Sequence, residues 1–212
     1  MRSVLNLRDA LARASRGLHE AGWVANHDGN LSARLGPDRF LCTPTAVSKR
    51  DVQADWLLVV DGNGQLIEGR RKPFSELDLH LACYRARPEV EIVCHAHPPS
   101  ATGFGVAGVP LAPLPLPEVI VSLGAEIPTV PLLPPRSPEL IAAVERVAAK
   151  VDAFLVAGNG AFTLGETVEQ ALLRMELVEH VAKILLAALP LGGARPLPQA
   201  LVDKLLAARP KR

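Results

Sequence analysis

Apolar residues recur at Val4, Leu7, Leu11, Ala14 and Leu18, the spacing of one helical face, and predict an amphipathic first helix that stops near Gly22. A loop, ANHDG, follows. Two short runs, Leu31 to Leu35 and Arg39 to Cys42, flank GPD and read as a hairpin; Trp56 to Val60 and Gln65 to Glu68, around the turn DGNG, read as a second. Helical spacing returns over residues 75–86, where Leu77, Leu81 and Tyr84 share a face. Ser75 is placed to cap this helix with Asp78 three residues on, and Pro88 stops it.

The run Glu91 to His97 predicts a strand that Pro98 and Pro99 end. Proline is dense from Pro110 to Pro138, where short strands are expected at Val119 to Ser122 and Thr129 to Leu132. A helix over Pro138 to Lys150, a strand Phe154 to Ala157, a GNG loop, a strand Phe162 to Leu164 and a long helix from Thr167 complete one domain, residues 1–190. Residues 191–212 form a tail with a short helix beginning near Pro198. Hairpin-paired strands flanked by helices predict an α/β sandwich with a mainly antiparallel sheet.

Composition narrows the partners. A net charge of +1 on 212 residues gives no excess to attract nucleic acid or a membrane surface, which leaves a small molecule or a protein. The most apolar helix, around Leu172 to Leu189, carries Arg174, Glu176, Glu179, His180 and Lys183, too many charges for a membrane span. Cys42, Cys83 and Cys94 fit neither a disulfide framework nor a zinc ribbon, which points to a reducing cytoplasm.

The chemistry concentrates in VCHAHPPS. Side chains alternate along a strand, so His95 and His97 share a face about 7 Å apart along the backbone and can converge on one cation. The competing reading is one core histidine and one surface histidine. Glu76, at the start of the second helix, reads alone as a favourable charge on the helix dipole.

Together with these, GNLSAR (Gly29 to Arg34), TPT (Thr43 to Thr45), PFSE (Pro73 to Glu76), HAHP (His95 to Pro98) and a late GNG (Gly158 to Gly160) before a long helix resemble the class II aldolase and adducin head-domain family, in order and spacing, over roughly residues 5 to 190. The resemblance implies a three-layer α/β/α sandwich. It makes His95 and His97 two of three histidine ligands to a divalent metal, zinc in the family, and Glu76 the acid–base carboxylate. Gly29, Asn30, Thr45, Ala46 and Ser75 match the positions that bind a sugar phosphate. It further implies cleavage of a ketose phosphate through a metal-stabilised enediolate, and a homotetramer.

The chain departs from that pattern in places. The third histidine is replaced by Asn159, a neutral and weak donor, so manganese or cobalt becomes an alternative to zinc. Phe74 stands where relatives carry serine and Ala46 where many carry glycine, changes that fit a smaller or more apolar substrate. Tyr84, the only tyrosine, is expected in the core, as are His80 and His180; His27 and Asp28 lie beside the GN motif. The reading is a metal-dependent aldehyde-lyase. The alternatives are an epimerase or decarboxylase of the same fold, or a non-catalytic assembly domain with a degenerate metal site.

Overall fold

The computed structural model describes residues 4–209. Eight strands form one sheet: β1 (Asn30–Gly36), β2 (Arg39–Cys42), β3 (Leu58–Val60), β4 (Leu66–Glu68), β5 (Ile92–Ala96), β6 (Thr129–Val130), β7 (Ala153–Val156) and β8 (Ala161–Gly165). Their order is β4-β3-β2-β1-β5-β8-β7-β6. Only the β6–β7 pair among them is parallel, so the mainly antiparallel sheet is as expected.

Helices cover both faces because the strands alternate apolar side chains to each. Ile92, Cys94 and Ala96 of β5 join the cluster under α1 (Val4–Glu20), α3 (Pro99–Ala107), α4 (Pro117–Leu123) and α6 (Val168–Ala188). Val93 joins the opposite cluster, under α2 (Leu77–Ala86) and α5 (Pro138–Ala148). The result is the three-layer α/β/α sandwich that the resemblance implied. A last helix, α7 (Gln199–Ala207), lays Val202, Leu205 and Leu206 against the first cluster. No helix among the described residues is long and apolar enough to cross a membrane.

Four local expectations are corrected. Pro99 does not merely end β5; it opens α3 at the first helical position, where a missing N–H costs nothing. Residues 119–122 are not a strand but part of α4, which Pro117 opens in the same way. Ser75 does not cap α2: Glu76 occupies the cap position, and no side chain caps that end. His180 also faces solvent, not the core.

One element outside the site carries a dense charge cluster. Asp152, before β7, is 1% exposed, and its carboxylate meets Arg87 at 2.6 Å, Arg209 at 2.7 Å and Arg174 at 3.1 Å. Three segments distant in sequence, the end of α2, helix α6 and the tail beyond α7, are thereby tied to one oxygen pair.

Candidate active site

The site is assembled on β5, in the middle of the sheet. His95 is fully buried, its ring stacked on Phe162 of β8 at 4.1 Å. His97 lies just beyond the strand end, held by its N–H donating to the Trp23 carbonyl at 2.8 Å. The two Nε2 atoms are 3.2 Å apart, so the pair converges as the strand alternation requires.

Backbone approaches on both sides of the pair demand glycine. A Cβ at Gly29 would meet Val24 and stand 3.0 Å from the His95 carbonyl; one at Gly160 would collide with the Ala96 carbonyl and the His97 ring. Both residues have positive φ, 69° and 79°, the left-handed region open to glycine.

Glu76 enters from the α2 side. Its Oε2 accepts from Asn30 Nδ2 at 2.9 Å and its Oε1 from Asn159 Nδ2 at 2.6 Å, and Oε1 lies 3.4 Å from His95 Nε2. Asn30 can do this because it faces His95 across the β1–β5 ladder. Burial alone would raise the Glu76 carboxyl; charge and hydrogen bonding from His95, with the two amides, override it and hold the group well below the carboxylate range. Glu76 is therefore ionised, held in the direction opposite to the raised carboxyl that acid–base work near neutrality favours.

The His95 Nδ1 is 2.9 Å from the Ala161 carbonyl, and this contact requires an Nδ1–H donor. Nε2, which faces His97 Nε2 and the Glu76 carboxylate, then either carries the ring's second proton, the form whose charge acts on Glu76, or offers a lone pair to a cation that takes the proton's place. A proton shared between the two Nε2 atoms satisfies this contact, and a cation held by both would replace it. The donor set therefore fits a divalent metal held by His95 and His97. Among the described residues no three His, Cys, Asp or Glu side chains are disposed around a metal. Asn159 has its amide nitrogen on Glu76. Asp28 faces His97 Nδ1 at 3.7 Å.

The remaining predicted positions are drawn together by backbone pairing. Pro44 bridges Pro73, and Thr45 N–H donates to the Lys72 carbonyl at 3.0 Å, which sets Thr45 and Ala46 beside Ser75. Ser75 and Ala46 are exposed and Thr45 half-buried. Ala46 adopts φ 56°, a conformation that costs a non-glycine residue about 1–2 kcal/mol. Ala46→Gly should raise the urea midpoint, with a net gain below about 1 kcal/mol once glycine's own entropy is counted; no gain would mean that the loop relaxes without strain.

Tyr84 is buried with its hydroxyl 2.8 Å from Ser32 Oγ, and His80 shares that oxygen at 2.7 Å. The Tyr84 hydroxyl is thus engaged away from the site, while the His80 Nε2 is buried without a hydrogen-bond partner. Glu118 stands exposed in the first turn of α4.

Two residues at the site's margin escaped the sequence reading. Buried Glu179 of α6 accepts from the Ser100 and Ala101 N–H groups at 3.2 and 2.9 Å, anchoring the start of α3 just after His97. Lys49 is 2% exposed and bonds the His27 and Val47 carbonyls. A charged residue gives no sign in sequence that its charge will be buried.

The profile of the Class II Aldolase and Adducin N-terminal domain family matches residues 9–186. The chain is 32% identical over 181 residues to a methylthioribulose-1-phosphate dehydratase of Methylococcus capsulatus, covering 81% of this chain and 88% of that one. It is 33% identical over 169 residues to an L-fuculose phosphate aldolase of Haemophilus influenzae, covering 80% and 77%. The crystal structure of YgbL from Escherichia coli superposes with a TM-score of 0.87 at 27% identity, covering 97% of this chain and all of that one. With a family match spanning most of the chain and relatives above 30% identity, the protein belongs to the class II aldolase and adducin N-terminal domain family.

Proposed function

We propose that the chain is a metal-dependent aldehyde-lyase that cleaves a carbon–carbon bond in a ketose phosphate or a related hydroxy-carbonyl compound. The observation that carries this reading is the convergence of the ionised Glu76 carboxylate with the facing Nε2 atoms of His95 and His97. An assembly domain has no need of a carboxylate and two imidazoles gathered at one strand end. The similarity to an L-fuculose phosphate aldolase adds support.

In the proposed cycle the substrate's phosphate lies against Gly29, Asn30, Thr45, Ala46 and Ser75. His95 and His97, with Asn159 as a weak third donor, would hold a divalent cation, zinc first, with manganese or cobalt as alternatives. Bound there, it supplies Lewis-acid stabilisation of the oxygen charge that develops on the substrate.

Glu76 begins as a base and removes the proton of the hydroxyl β to the carbonyl. The carbon–carbon bond breaks, its electron pair moving towards the carbonyl to give an enediolate, and the alkoxide becomes an aldehyde. Glu76 then returns the proton to the enediolate carbon. One carboxylate thus serves both transfers, which suits a site where the only tyrosine is in the core.

Metal analysis and a coupled assay test the proposal. Stoichiometric divalent metal, lost in His95→Ala, and aldehyde release reported by an aldehyde reductase are expected. A metal-free protein whose melting temperature ignores chelators would remove the metal-dependent reading; carbon dioxide without aldehyde would make the protein a decarboxylase.

Asn159→His gives a test independent of turnover. Replacing an amide by an imidazole should tighten zinc binding by at least the ~10-fold that even outer-shell changes are worth. An unchanged Kd would mean that residue 159 does not face the metal.

A further inference from the structure

Lys49 follows the TPT segment, and its ammonium is buried. A buried cation is costly unless it is compensated. Nζ donates to the His27 carbonyl at 3.1 Å and to the Val47 carbonyl at 3.0 Å, and the carboxylates of Asp28 and Glu76 act on it. The first carbonyl belongs to the loop that leads into Gly29 and Asn30. The second belongs to the loop that leaves Thr45 and Ala46.

We propose that Lys49 is a positioning residue: its ammonium clasps the 26–30 and 44–48 loops together and sets a positive charge behind the surface that receives the substrate's anionic group. This rests on the sugar-phosphate reading. Asp28 and Glu76 bring two negative charges to this end of the sheet, and a phosphate monoester adds about −1.5 to −2 near neutrality. Lys49 offsets part of that repulsion. A methionine there would fill the volume but leave two carbonyls without their donor and remove a positive charge that acts with Asp28 and Glu76.

Lysine also makes the clasp dischargeable. Burial lowers its pKa from 10.5 to about 8, against the raising influence of Asp28 and Glu76. Arginine at the same place would stay charged.

Inorganic phosphate is the probe, titrated calorimetrically into the full chain and into Lys49→Met and Lys49→Arg at pH 7 and 9.5, with amide exchange followed over both loops and α6. Lys49→Met should bind phosphate about tenfold or more weakly. Its two loops should exchange faster while α6 keeps its protection. Wild-type affinity should fall between the two pH values and that of Lys49→Arg should not, a difference that a purely structural lysine would not produce. Equal phosphate affinity in the wild type and Lys49→Met overturns the charge role. If the methionine variant does not fold, the pH comparison between wild type and Lys49→Arg decides, and equal profiles overturn the inference. Should the wild type bind no phosphate, the sugar-phosphate reading fails separately; unchanged loop exchange in Lys49→Met would then overturn the clasp, and faster exchange would uphold it.

Discussion

Glu76→Gln is expected to lower kcat/KM by roughly 10²- to 10⁴-fold, the range that a positioned general base supplies. The variant should stay folded, for a reason visible in its partners. Two amide nitrogens point at the carboxylate, so a glutamine would set its own NH₂ against one of them. Asn30 can turn to meet it, because its Oδ1 is buried without a hydrogen-bond partner and would accept that hydrogen. A loss below about tenfold would remove Glu76 from the chemistry.

The same substitution has a signature in acid. The Glu76 carboxyl is depressed in the folded chain, so its ionised form stabilises the fold above its ordinary value of 4.5. That contribution declines as pH falls below 4.5 and is gone once pH has passed through the lower folded value. Glu76→Gln should therefore show a shallower loss of stability on acidification, measured as urea midpoints at successive pH values. Parallel curves would mean that the carboxyl is not held down by its neighbours.

Asp152→Ala should cost about 3–5 kcal/mol in a urea titration, the largest stability effect expected in the chain. Buried ion pairs contribute little over apolar replacements when both partners go. Removing one partner is different, because the charge left behind is buried and uncompensated. Here Arg87, Arg174 and Arg209, each with a side chain less than a fifth exposed, would lose the same carboxylate at once. Arg209→Ala should cost much less, since Asp152 keeps Arg87 and Arg174. It should still loosen the tail, where Arg209 also donates to the Val121 and Ser122 carbonyls of α4. A cost below about 1 kcal/mol for Asp152→Ala would mean that the arginines find other acceptors.

Much of the frame was legible because periodicity and turn chemistry agree locally. The helical stripe of Leu11, Ala14 and Leu18, the DGNG hairpin and the alternation through Val93 and His95 each follow from residues a few positions apart. Proline was the ambiguous symbol. Pro138 was read as a helix start, but Pro99 and Pro117 do the same and were not, since the ring that stops one element also suits the first turn of the next. The candidate site was legible as residue types, through Glu76, His95 and His97. Its supporting contacts were not: Asn30 on Glu76 depends on strand register, and Lys49, Glu179 and Asp152 find their partners only across the folded chain.

The pairing of Asn30 with His95 across β1 and β5 makes activity a reporter of folding fidelity. A slip of one residue between these strands would turn Asn30 to the other face and strip Glu76 of one of its two amides. Molecules misregistered in this way would keep their helices and much of their circular dichroism, yet hold the acid–base carboxylate with one amide fewer. In refolding trials, the gap between recovered ellipticity and recovered turnover would thus count the chains whose central strands have paired out of step.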